Sequence, residues 1–423
     1  MRFLIVTSIL FFCFLFHTTL HAQNRVEVID PEIKTVQAYT NNDILTYPSI
    51  YLNSGDQITI AFDDLNSKAP RNLMYKVIHC DQDWADEGLF AADFLTGFQE
   101  QYLYNTGFSS NTSIRYVHYK LQFPNNDVSP KVSGNYMIVV YNPDNQEPLL
   151  KVGFHIVENL ANLAGSIIIP NDRNYETSQQ LNLLLKYPLI SSANPNGDFK
   201  IRVSQNYEQY AANRQPTPTT YGVSTINYSR ADRNIYPAGN EFRTLDIRDV
   251  HYLSTNASSV RQVQGEYFIL LQPDLDRAST PYSSAIDYNG KMVIAGLNAT
   301  NPDTESDYYS VLFSLKSNFL GNQYDVFLEG ELTGWGTSNV GKMIYNSQTG
   351  CYETPLTLKQ GYYSYRYVVR DAKGVEQGEL SPEGNFSETE NTYQVGVYYK
   401  SIRDTYTRLV ASITLEKDKK LKK

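Results

Sequence analysis

Apolar and polar residues alternate with a period of two along much of this chain, in short runs separated by turn-forming residues. The alternation is cleanest in LMYKVIHC, where Tyr75, Val77 and His79 fall on one face of an extended segment and Met74, Lys76, Ile78 and Cys80 on the other. Comparable runs in the first third are SIYLNSGDQITIAFDDL, VHYKLQFP, GNYMIVVYN and LLKVGFHIVE. They continue as GSIIIP, LNLLLKYPLI, FKIRVSQN, EFRTLDIRDVHYL, GEYFILLQP, GKMVIAGLN and DYYSVLFSLKS. The last group is QYDVFLEGELTGWG, KMIYNSQTGCYETPLTL, GYYSYRYVVRDAKG and TYQVGVYYKS. Long stretches with a helical apolar period are few, so the pattern predicts strands almost throughout. Composition points the same way, because 34 tyrosines and 19 phenylalanines suit pleated, half-buried surfaces. The expected fold class is all-β, with multiple immunoglobulin-like β-sandwich domains in tandem.

Turn chemistry divides these runs into sections. They predict an N-terminal sandwich over residues 23–158, a middle sandwich over 159–317, a C-terminal sandwich over 318–402 and a tail over 403–423. The tail's LEKDKKLKK ending reads as a solvated basic run. Residues 90–112 are aromatic but weakly periodic, and are expected to form a long ordered crossing loop. NPNGD, between LNLLLKYPLI and FKIRVSQN, predicts a hairpin. The polar stretch EQYAANRQPTPTTYGVSTINYSR predicts a long loop. No tandem repeat of fixed period is visible.

The opening segment changes the compartment. Arg2 is its only charge, an apolar run extends from Phe3 to Phe16, and small or polar residues follow, the pattern of a secretory signal peptide over residues 1–22 with cleavage near Ala22. Cys13 sits inside the apolar run, without the preceding small residues of a lipoprotein signal. The run is short for a bilayer and no later segment is apolar enough to span one. The mature chain is therefore expected to be soluble and exported. The sequence holds 36 basic and 45 acidic residues, and losing Arg2 with no acid leaves a net charge of about −10, which disfavours nucleic acid. Only Cys80 and Cys351 survive cleavage, and their wide separation predicts two buried free thiols rather than a disulfide.

YKVIHCDQDW concentrates His79, Cys80, Asp81 and Asp83, all groups able to bind a metal or move protons. A closed metal site needs three or four placed ligands, and the mature chain adds only His118, His155 and His251 as imidazoles, with no C-x-x-C or H-E-x-x-H pairing. Cys80 follows His79 directly, so on a strand the two point to opposite faces. Ser109 lacks the closing glycine of a nucleophile elbow. The acidic clusters FDDL (Phe62 to Leu65) and DTESD (Asp303 to Asp307) read as solvated turns, and no phosphate loop or dinucleotide fingerprint is present. The stretch around His79 is thus expected to be a strand end, with Asp81 and Asp83 accepting turn hydrogen bonds and Trp84 covering the core edge. No catalytic, cofactor-binding or metal-binding residue is assigned, and no cofactor is expected. Trp335, in a loop within GELTGWG, is a candidate for stacking on a sugar or anchoring a partner.

Longer phrases add a resemblance. From Ile33 to Val157 the chain carries TYPSIYLNSGDQITIAFDDL, YKVIHCDQDW, LTGFQEQYLYNTGFSSNT and HYKLQFPNNDVSPKVSGNYMIVVY, and later GELTGW, LKQGYYSYRYV and GNFSETENTYQVGVYY. In this order the phrases resemble the type IX secretion system plug protein family. The resemblance implies a periplasmic, non-enzymatic β-sandwich protein at the inner face of the outer membrane. There it would dock on the giant translocon barrel of that system and block the conduit; the docking residues are unknown from sequence. A second, partial resemblance links YDVFLEGELTGWG and YYSYRYVVRDAKG to early-set sandwiches of glycogen-binding modules, in which Trp335 would match a sugar-stacking position while Val375 stands where a second aromatic is needed. The alternative it implies is a periplasmic or surface glycan-binding protein.

Overall fold

Three hydrophobic cores organise the molecule, each formed where two strand-built faces turn their apolar sides inward. A computed structural model describes residues 25–66, 69–207, 215–230, 234–250, 256–335 and 339–417. The expected signal peptide and His251 lie outside the described residues. The class is all-β, assembled from sandwiches as the alternation predicts.

The first core lies between two sheets. One sheet orders the strands Val26–Val28, Pro148–Val157, Gly134–Tyr141, Met74–Cys80 and Glu100–Tyr102, with Ser49–Tyr51 added parallel to 148–157. The other orders Ile33–Thr40, Ile58–Asp64, Val117–Phe123 and Thr106–Phe108. Ile58, Ile60 and Phe62 alternate into the core, where Phe62 stacks on Tyr119 at 5.1 Å. Each such side chain withdrawn from water contributes about 1.5–3 kcal/mol. The segment expected as a crossing loop, 90–112, does cross from one sheet to the other. It does so through a short helix, Ala91–Phe94, and three brief strands, Leu95–Gly97, Glu100–Tyr102 and Thr106–Phe108. It buries Phe94 and Leu103 and leaves Phe90, Phe98 and Tyr104 exposed.

The middle core departs from the expected division. Asn162–Ile168, Ser178–Lys186, Thr225–Asn227 and Thr220–Gly222 make one sheet, with Ile235–Pro237 on 178–186. The facing sheet is Phe199–Gln205, Thr392–Tyr399 and Arg408–Glu416. Residues 403–423 are therefore not simply a tail: Val410, Ala411 and Leu415 are core residues packed with Leu181, Leu183, Phe199 and Val395. NPNGD does not make a hairpin either. Pro195 opens a one-turn helix, Pro195–Asp198, and the next strand pairs with 392–399 instead of 178–186. The predicted long loop contains the small 220–222/225–227 pairing.

The third core belongs to a unit nested within the middle one. A ten-stranded sheet runs Arg243–Asp246, Gly361–Asp371, Tyr324–Glu329, Lys342–Asn346, Cys351–Lys359, Tyr308–Lys316, Glu266–Leu271 and Ala257–Val263, with Met292–Ile294 on 361–371 and Asp274–Leu275 on 308–316. The expected boundary at 317/318 falls between paired strands: 308–316 joins 351–359 over nine successive partners, from Tyr308 opposite Lys359 to Lys316 opposite Cys351. Gly361–Asp371 is long enough to serve both faces. It meets 243–246 and 292–294 near its start and 324–329 near its end, and it presents Tyr363, Tyr365 and Tyr367 to the core.

Candidate functional site

The residues singled out from sequence lie at the junctions between these units. His79 ends its strand pointing inward and is 1% exposed, with Nε2 3.0 Å from the Ser133 carbonyl and Nδ1 3.0 Å from a Glu87 carboxylate oxygen. Gly134, at φ 145, is required beside it, since any Cβ there would enter the His79 ring. Glu87 in turn receives Lys400 Nζ at 2.7 Å, the Thr407 amide at 2.9 Å and the Thr407 hydroxyl at 2.8 Å. Burial alone would raise the Glu87 pKa, but the bonds from His79, Lys400 and Thr407 outweigh it and hold the carboxyl at about 2. The signature histidine thus ties the first sandwich to the C-terminal strands through one carboxylate.

The other members of the stretch are also committed. Asp81 accepts from the amides of Asp83 and Ala85 at 2.8 and 3.0 Å, the turn role expected of it. Asp83 instead accepts Arg202 Nε at 2.9 Å across the junction. Cys80 is buried and its thiol is pushed up, by burial first and then by Asp86, Asp81 and Glu87, the opposite of an activated nucleophile. Cys80 and Cys351 are both free and buried. Trp84, at φ 65, lies edge-on to His155 with ring centroids 5.1 Å apart. Burial, with Arg25 adding to it, lowers the His155 pKa to about 3. The neutral ring donates from Nδ1 to Asn135 Oδ1 at 2.8 Å and accepts at Nε2 from Tyr47 Oη at 3.1 Å; Tyr398 Oη reaches the same Asn135 oxygen at 2.8 Å.

A second junction joins the first sandwich to the nested unit through Asp63, a residue expected in a solvated turn. Asp63 is fully buried. One oxygen meets His118 Nδ1 at 2.7 Å; the other takes the Tyr308 hydroxyl and Lys359 Nζ, each at 2.7 Å. Tyr308 also lies 2.5 Å from Thr35 Oγ1, and Lys359 donates to the Asp303 carbonyl at 2.7 Å. Burial lowers the Lys359 pKa, against the pull of Asp63. Ile58, Ile60 and Phe62 face the core, so Asp63 faces away from it and is covered only because the nested unit packs there. In DTESD, Asp303 remains half exposed while Asp307 accepts the Ser113 amide at 2.8 Å from the first sandwich. Gln37 Nε2 donates to the Met292 carbonyl at 3.1 Å, and Lys291 pairs with Glu331 at 3.0 Å nearby.

The nested and middle units share a third set of contacts. Gln179 donates to the carbonyls of Ser387 and Thr389 at 3.0 and 2.7 Å. Glu383 lies between Arg243 at 3.0 Å and Arg277 at 2.5 Å; burial works to raise its pKa, and the two guanidinium groups bring it below the usual value. Trp335 is 3% exposed, enclosed by Tyr207, Phe242 and Gly290, so it offers no face for a sugar to stack on. Among the described residues, no group of three or more His, Cys, Asp or Glu side chains is placed to hold a metal ion, and no helix is long and apolar enough to cross a membrane. Sequence reasoning missed Asp63, Glu87, Arg202 and Lys359. The alternation of Ile58, Ile60 and Phe62 could have placed Asp63 on the opposite face of a strand, and the other three carried no signal of their own.

These features define a class: a multi-sandwich all-β protein in which buried ionisable side chains join one unit to the next. A family model described as the type 9 secretion system plug protein 1st domain matches residues 33–158. A crystal structure of a hypothetical protein from Parabacteroides merdae ATCC 43184 is 30% identical, with a TM-score of 0.88 over 93% of this chain and 100% of that one. The C-terminal domain of the Streptococcus pyogenes antigen I/II-family protein AspA (9% identity, TM-score 0.15, 91% of this chain and 99% of that one) is too distant in fold to bear on the argument. No curated protein matches the sequence. Residues 33–158 are thus a first domain of the type IX secretion system plug protein family, which links the chain to that secretion system and to an exported, envelope-associated place.

Proposed function

We propose that this protein is a non-enzymatic periplasmic plug or accessory subunit that docks on the type IX outer-membrane translocon barrel and blocks its conduit from the periplasmic side. The observation that carries the reading is the match of residues 33–158 to the plug family's first domain. The construction of the molecule supports it, because an obstruction works by shape and must resist deformation. Buried ion pairs and hydrogen bonds cross all three junctions, at Glu87, Asp63 and Gln179, so that moving one sandwich against another would strand desolvated polar groups. The HCDQD stretch then belongs to the plug signature as a fastening.

The test is recovery of the partner. Affinity-tagged protein captured from outer-membrane extracts is expected to bring down one very large barrel protein, and cells lacking the plug are expected to admit small periplasm-directed dyes through that barrel. Consistent absence of the barrel from the captured material, or a conduit that stays sealed without the protein, contradicts the proposal.

A further inference from the structure

Where the first sandwich meets the outer face of the 199–205/392–399/408–416 sheet there is a cavity of about 40 Å3. That is room for about three water-sized spheres, hence for one halide ion or one carboxylate group. Its polar wall is made of Arg25, Arg202, His155, Gln82, Gln394 and Ser412. No aspartate or glutamate is among its lining residues.

Arg25 is the unusual member. It is 6% exposed and its Nε has no hydrogen-bond partner among the described residues. One terminal N–H reaches the Tyr207 carbonyl at 3.1 Å, and the guanidinium lies over the Tyr47 ring at 4.6 Å. No carboxylate of the described residues lies within ion-pair distance of it. Other well-buried arginines have carboxylate partners: Arg202 has Asp83, Arg243 has Glu383, and Arg366 and Arg370 share Glu329, with Glu376 also on Arg366. A guanidinium withdrawn from water without a counter-charge is strongly disfavoured, and a tyrosine face with one carbonyl compensates only in part. Arg202 adds no surplus charge, since Asp83 balances it, and His155 is held neutral by burial. Among the described residues the cavity therefore carries one positive charge without a counter-charge, beside amide and hydroxyl donors.

We propose that this cavity is an anion-binding site, holding one small monovalent anion of halide or carboxylate size as the counter-ion of Arg25. The ion would sit between the first sandwich and the C-terminal sheet and strengthen that junction.

Thermal unfolding of the purified wild-type protein and of R25Q tests this, with sodium chloride or sodium formate titrated against bulky morpholinoethanesulfonate at constant ionic strength. The wild type is expected to show a saturable rise in Tm with at least one of the two anions, and R25Q to bind at least tenfold more weakly. A response to chloride alone assigns the site to a halide; one to formate alone assigns it to a carboxylate. Identical responses of wild type and R25Q, or no saturable response to either anion, overturn the proposal. Should R25Q fail to fold, crystals of the wild type grown in sodium bromide and in sodium formate decide. An anomalous bromide peak or a formate in the cavity beside Arg25 supports the site, and water alone there in both overturns it.

Discussion

Glu87 shows how one side chain sets a junction's response to acid. Its carboxyl lies at about 2 in the folded protein against an ordinary value of 4.5, so the folded state holds it ionised more firmly than the unfolded chain does. The stabilisation is present in full above pH 4.5 and is lost as the pH falls from there toward 2. After allowance for solvent screening it is on the order of 2 kcal/mol. Glu87→Gln is accordingly expected to lower stability by about that amount at pH 6, measured by urea unfolding, and to show a shallower loss than the wild type between pH 4.5 and 2.5. Parallel pH profiles for the two proteins would remove Glu87 from this role. Sequence reasoning reached His79 and missed Glu87 for a physical reason. The strand alternation of Tyr75, Val77 and His79 is local, whereas the value of Glu87 comes from Lys400 and Thr407, more than 300 positions away. Asp63 teaches the same lesson from the other side. FDDL read as a solvated turn although it closes a strand, and the outer face of a strand is wet or dry according to what packs on it.

At the level of elements, the strand Arg408–Glu416 carries more than its position suggests. It pairs with Thr392–Tyr399 and places Val410, Ala411 and Leu415 in the middle core. Its sequence, RLVASITLE, is as strand-like as any other, but the basic run that follows drew the whole segment into the expected tail. Ending the chain at residue 402 is expected to remove on the order of 5 kcal/mol of apolar burial, comparable with the net stability of a domain. The truncated protein should lose near-ultraviolet circular dichroism and soluble yield. Ending it after Lys417 should leave both unchanged, and equal behaviour of the two truncations would contradict this account. The nested unit was hidden for a related reason: strand existence follows from local alternation, while strand partnership depends on which edges meet.

On the scale of the whole molecule, the three cores are coupled by their junctions. Multi-domain proteins commonly unfold in steps. Here the two tryptophans lie near different boundaries, Trp84 half-buried against His155 and Trp335 buried against Tyr207 and Phe242. Tryptophan fluorescence and far-ultraviolet circular dichroism are expected to report one coincident transition in urea; a fluorescence change that precedes loss of strand signal would mean that the units separate first. Such coupling would suit the blocking role proposed above, which needs a body that resists thermal motion.

The nesting of one unit inside another also sets the order in which the protein can mature. Strand Ser178–Lys186 emerges early from whatever pore delivers the chain, but the sheet that must cover it is completed only when residue 416 has followed. Until then the middle section has no closed interior. The middle core thus closes only after the residues of the nested unit have been delivered.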